Sequence, residues 1–189
     1  AIAAEREVFV VPDGERAAVF DESLRILRAA LVEDAASYRG RFFTFTDAAV
    51  APRPSPPLDI WLGGSSQAGF RRIGALADGW LGSFLTPAEA RQGREAIEHA
   101  AAQGGRRIEA DHFGISLAVA DGELPAELAA AVRRRRADLD PEELVAAGWD
   151  QLHRQLDGYL EAGLTKFVIR PVGAAAVDGF IDRFVAELL

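Results

Sequence analysis

Apolar and polar positions along this chain follow two periods. Phe20, Leu24, Leu27 and Leu31 recur at 4-3-4 intervals, which predicts an amphipathic helix over residues 15–32 with that face buried. Tyr38, Phe42, Phe43 and Phe45 gather around Gly40, the pattern of a short hairpin across Ser37–Phe45. Residues 51–57 hold four prolines and must form an extended connection, because proline cannot donate to a ladder. Beyond it, short apolar runs predict strands at Leu58–Leu62, Gly79–Gly82, His112–Val119 and Lys166–Ile169. Helical spacing fills the gaps. Ser66–Ala77 reads as a helix with Phe70, Ile73 and Leu76 or Ala77 inward. Thr86-Pro87-Ala88-Glu89 is a capping box with proline at the first helical position, and Gly104-Gly105 stops that helix after Gln103. Helices follow at Pro125–Ala137 and from Asp140 to Ala162, the second broken near Gly148 and closed by Gly163. Ala174–Leu189 ends the chain as a helix with Val177, Ile181, Phe184 and Val185 inward.

Strand then helix, four times over, predicts an α/β fold with a parallel sheet and helical crossovers. The strands are short and mostly apolar, as in sheets covered on both faces. With 189 residues, 49% hydrophobic and 26% charged, the chain can bury the core of one domain. A net charge of −8 argues against nucleic acid as a partner. The absence of cysteine excludes disulfides, thiolate metal sites and cysteine nucleophiles. With no signal-peptide pattern and no apolar run near the length of a membrane span, the expectation is a soluble, cytoplasmic protein with no membrane partner. Methionine is also absent, so Ala1 is not an obvious natural start. Either the initiator was removed from a Met-poor protein, or upstream sequence is missing.

The chemistry concentrates in Ile60-Trp61-Leu62-Gly63-Gly64-Ser65-Ser66-Gln67, where a strand runs into a helix. Glycines let the backbone turn sharply and approach a ligand closely. The first helical N–H groups are unpaired, and the helix dipole adds positive potential there, so the turn can hold an anion such as phosphate. Ser65 and Ser66 can add hydroxyl donors, and Arg71 and Arg72 lie one to two turns further on. The alternative is a serine that only caps the helix and glycines that only shape the turn. The motif lacks the lysine of a P-loop and the G-x-G-x-x-G of a dinucleotide fold.

Three segments in order resemble the luciferase-like family of flavin- and F420-dependent oxidoreductases and monooxygenases. The first is Asp21-Glu22-Ser23-Leu24 followed by Ser37-Tyr38-Arg39-Gly40-Arg41-Phe42-Phe43. The second joins Ala51-Pro52-Arg53-Pro54, the Ile60–Ser66 block and Ala77-Asp78-Gly79-Trp80. The third is Gly158–Gly163 leading into Phe167-Val168-Ile169-Arg170-Pro171. The resemblance implies a TIM (β/α)8 barrel of which this single domain holds only the last four strand–helix units. It also implies that Gly63, Gly64, Ser65 and Ser66 carry the phosphate of F420 or FMN, with a small-molecule substrate. No catalytic residue can be assigned, because family groups that flank the reactive ring come from the first four strands. Four strands cannot close such a barrel, and sheet edges need cover. The chain is therefore expected to be a fragment, a homo-oligomer or a partner of a missing N-terminal half, or else a reduced relative; a fragment is favoured. A second reading makes it a non-catalytic flavin-binding or interaction protein of the same fold, and a third a barrel enzyme of unrelated chemistry.

Other residues carry two readings each. Arg170 ends the last strand, on the side shared with Lys166 and Val168, and can bind cofactor phosphate or a substrate carboxylate, or be a surface arginine. His99, His112 and His153 lack ligand spacing, so no metal is expected; His112 alone falls on a strand that would line the barrel. Arg133–Arg136 reads as a solvated helix end in an acidic chain. Trp80 can lie against a flavin-type ring or pack in the core, and packing is the expectation.

Overall fold

The computed structural model describes residues 11–173 and 179–188. They fall into two compact units, one up to Ile60 and one from Trp61 onward. In the first unit, helix α1 (Arg16–Val32) precedes an antiparallel hairpin of β1 (Ala36–Arg39) and β2 (Thr44–Ala48). The helix lies where the spacing predicts, but its buried face differs. Leu24 is buried, whereas Phe20 and Leu27 are 44% and 46% exposed. Glu22 takes the buried position instead. Its Oε2 accepts the Phe42 N–H at 2.8 Å, and its Oε1 sits where a Cβ on Gly40 would lie. A count of apolar positions misses this face, because its key residue is a carboxylate that holds the hairpin turn.

The second unit carries β3 (Trp61–Leu62), α2 (Gln67–Leu76), β4 (Gly79–Ser83), α3 (Pro87–Gln103), β5 (Phe113–Ala120), α4 (Ala126–Arg135), a 3-10 turn (Pro141–Glu143), β6 (Val145–Ala147), α5 (Trp149–Glu161), β7 (Lys166–Val172) and α6 (Phe180–Leu188). All pairings are parallel, and the main strand order is β3-β4-β5-β7, with β3 and β7 at the edges of the described sheet. The sheet is open. β4 pairs with β5 only as far as Ser83 opposite Ser116, while β7 fills the other edge of β5 from Gly114 to Ala120. Short β6 then takes over the edge that β4 leaves, pairing with Ala118–Ala120. The chain departs from β4 at Phe84, whose φ of 56° turns it out of the sheet.

This handover bears out the break expected near Gly148 and corrects the helical stretch expected before it, from Asp140. Asp140 does cap a helical turn, with Glu143 bonding back, but the turn is 3-10 and ends at Glu143. Val145–Ala147 are drawn into the sheet, and α5 begins only after Gly148, at φ 92°. Edge pairing outweighed helix propensity over those three residues.

Alternation along the strands sorts the core. Trp80, Phe113, Ile115, Leu117 and Val119 face the helices and pack with Phe70, Ile73, Ile97, Leu152 and Tyr159. Helices α2 and α3 meet closely at Gly74, where a Cβ would lie 2.7 Å from Ala100 and from backbone of α3. A second, smaller cluster joins Val132, Leu144 and Val145 to Ala118, with Phe84, Leu128 and Val172 at its margin. The terminal helix also needs correction. Phe180, Phe184 and Leu188 pack on the main core, while Ile181 and Val185 are 71% and 51% exposed. Val177 lies outside the described residues. Within α6 the i, i+4 rhythm from Phe180 sets the packed face.

Candidate functional site

Strand β3 ends at Leu62, and the chain turns through Gly63 and Gly64 before Ser66 caps α2. Gly64 has φ 121°, a conformation glycine adopts freely, and nothing lies within 4 Å of where its Cβ would be. The Ser66 hydroxyl accepts the Gly69 N–H at 3.0 Å, so the helix-cap reading of this serine holds. Its own hydrogen is still available as a donor, because a hydroxyl both donates and accepts. Gln67 and Ala68 start the helix with N–H groups that have no intrahelical acceptor. Residues 63–66 are exposed.

Trp80 holds this turn in place, by a route sequence reasoning did not find. The side chain is fully buried and packs edge-on against Phe70, as a core tryptophan would. Its Nε1–H also donates to the Gly64 carbonyl at 2.9 Å. With the carbonyl tied back to the core, the turn keeps its oxygen away from the helix start. The signal in the sequence was the Gly79-Trp80 pair itself, since the indole N–H of a buried tryptophan usually finds a partner.

The electrostatics of α2 favour an anion at its start. Among the five described helices of the second unit, α2 alone has no acidic residue in its first turn; α3, α4, α5 and α6 carry Glu89, Glu127, Asp150 and Asp182 there. At its far end, Arg106 donates to the Gly74 and Ala77 carbonyls at 2.7 and 2.8 Å, satisfying the C-terminal oxygens. The negative end is thus compensated and the positive end is left open. Arg71 points to solvent, and Arg72 is half-buried.

Arg170 lies on β7, opposite Ala118 of β5. Two strands therefore separate it from the turn after β3, about 14 Å at ordinary strand spacing. Its side chain is exposed on the face away from the helices, and its Nε donates to Ser116 Oγ at 3.1 Å. Lys166, on the same side, pairs with Asp111 at 3.2 Å. His112 sits just before β5, with its ring 5.3 Å from that of Trp61 and Nδ1 3.0 Å from the Asp78 carbonyl.

Arg136 departs from the solvated helix end expected of Arg133–Arg136. Arg133, Arg134 and Arg135 are exposed, but Arg136 is partly buried and bonds the Phe84 carbonyl, both Glu89 oxygens and Asp138. These carboxylates hold its guanidinium above the ordinary arginine pKa. Burial pushes the Glu89 carboxyl up, but bonds from Arg136 and Thr86 outweigh it and hold the group below its usual value. Tyr159 donates to the neighbouring Leu85 carbonyl at 2.6 Å, and burial pushes its phenol up. A surface cleft opens at the same end of β5, lined by Leu124, Ala129, Arg133, Asp140 and Pro141.

The family model for luciferase-like monooxygenases matches residues 1–181. This chain belongs to that family. Among its relatives is the F420-dependent glucose-6-phosphate dehydrogenase of Amycolatopsis mediterranei, 24% identical over 93% of this chain and 61% of the relative. In three dimensions the chain is similar to an F420-dependent secondary alcohol dehydrogenase solved with an F420–acetone adduct (TM-score 0.76, 14% identity, 94% of this chain and 63% of that one). It is also similar to a riboflavin lyase solved with modified FMN and riboflavin (TM-score 0.68, 12% identity, 98% and 60%). The chain spans about three-fifths of the length of these proteins. The luciferase-like fold is thus shown, and its neighbours use F420 and FMN. Among the described residues no helix is long and apolar enough to cross a membrane.

Proposed function

We propose that this chain is the cofactor-phosphate-binding part of a luciferase-like oxidoreductase that uses F420 or reduced FMN. One observation carries the reading. The turn Gly63–Ser66 presents the uncompensated start of α2 to solvent, while Trp80 ties the Gly64 carbonyl back to the core. The residues fit a phosphate. Open space lies over Gly64, the Ser65 and Ser66 hydroxyls can donate, the Gln67 and Ala68 N–H groups are free of intrahelical acceptors, and no carboxylate stands in the first turn of the helix. When bound, F420 or FMN supplies the hydride or oxygen chemistry. The chain's own residues would bind and orient it, with the turn holding the phosphate.

The test is direct. Purified protein is mixed with F420 or FMN, separated from free cofactor, and its visible absorbance recorded. Retained cofactor is expected, and Ser65→Asp is expected to weaken it by about tenfold or more through like-charge repulsion at the helix start. Folded protein that retains neither cofactor, or unchanged affinity in the aspartate variant, contradicts the reading.

A further inference from the structure

We propose that Ser83, Ser116 and Arg170 form a second oxyanion site, which binds a phosphate or carboxylate of the substrate. The proposal rests on the cofactor reading only in calling this anion the substrate's.

The strand pattern builds the site. Trp80 and Gly82 of β4 face the helices, so Leu81 and Ser83 face the other way. Phe113, Ile115 and Leu117 of β5 face the helices, so Gly114, Ser116 and Ala118 do not. On β7, Phe167 and Ile169 pack on the core, which turns Val168 and Arg170 to that second face. Ser83 and Ser116 are direct partners in the ladder, about 4.8 Å apart at ordinary strand spacing. Arg170 reaches Ser116 with its Nε. Three neighbouring strands thus bring two hydroxyls and one guanidinium to a single patch.

The chemistry of the patch suits an oxyanion. Ser116 engages only the Nε of Arg170, so the terminal amino groups keep the fork that binds phosphate or carboxylate in a bidentate manner. The Ser116 oxygen already accepts from that Nε, which leaves its own hydrogen to donate. Gly114, on the same side of β5, is closed over by Lys166 and Leu81, which bounds the patch at that end. Ala118 is buried under the second apolar cluster, which walls the patch on one side and strengthens charge-assisted bonds there. The cation nearest along β7, Lys166, is paired with Asp111. Two strands separate Arg170 from the phosphate turn, so one phosphate group cannot be held by both.

The site is tested by amide NMR on the whole chain, titrated with methyl phosphate and, separately, with acetate. Backbone signals of Ser83, Ser116 and Arg170 are expected to shift with either anion. Tighter binding of methyl phosphate marks a phosphoester substrate, and tighter binding of acetate a carboxylate. Arg170→Gln is expected to weaken this response at least about tenfold and Ser116→Ala less, with cofactor affinity unchanged in both. Arg170→Lys keeps the charge but not the fork, and is expected to recover only part of the affinity. Silence at Ser83, Ser116 and Arg170, or an unaltered response in Arg170→Gln, overturns the proposal. Signals from Gly64–Ala68 in the same spectra report the turn separately, so failure of one site is distinguished from failure of the other.

Discussion

At the scale of residues, the central pair is Gly64 and Trp80. Glycine supplies the backbone angle, and the indole N–H fixes which way the peptide faces. Trp80→Phe removes that hydrogen bond and keeps most of the packing against Phe70. It is expected to cost about 1 kcal/mol of stability, read from urea unfolding. It is also expected to weaken phosphate-bearing cofactors while leaving their phosphate-free counterparts unchanged. Equal weakening of both would show that the tryptophan acts only on packing. Much of this was legible in the sequence. Gly63–Ser66 stood out as a strand-to-helix turn, and Trp80 as core. The link between them was not, because a side chain-to-carbonyl bond across sixteen residues leaves no spacing pattern. Glu22 escaped for a related reason: hydropathy assigns carboxylates to the surface, and this one is buried because it holds the Phe42 N–H.

At the scale of elements, one ion pair joins the start of α3 to the residue that caps α4. Glu89 closes the capping box with Thr86 and also receives Arg136, which in turn holds the Phe84 carbonyl where the chain leaves β4. The bonds that hold Glu89 below its ordinary pKa of 4.5 make a stability contribution with a defined pH window. The folded pKa is depressed, so the contribution is present above the unfolded value and is lost as pH falls through the folded one. Glu89→Gln is expected to be less stable than the parent at pH 7, with the difference closing as the pH falls below 4.5. Urea midpoints across that range measure it, and a difference that does not change with pH would contradict the account. The capping box was readable from Thr86-Pro87-Ala88-Glu89 because its partners are three residues apart. The Arg136 bond was not, since forty-seven residues separate its ends. An element boundary failed where tertiary pairing decided it, at β6.

At the scale of the molecule, alternating strand and helix patterns predicted a parallel sheet covered by helices, and the structure orders its main strands β3-β4-β5-β7 over that core. The open face of that sheet needed the structure, because only the ladder register places Ser83 beside Ser116 and Arg170 beyond them. Fold and family do not by themselves assign a role to a site. The role rests on whether the turn after β3 recognises a phosphate. The most direct measurement compares affinities of the whole chain for FMN and riboflavin, and for F420 and its phosphate-free chromophore. The account predicts that in at least one pair the phosphate-bearing form binds about tenfold tighter or more, through charge-assisted bonds at the helix start. Equal affinity within both pairs would contradict it.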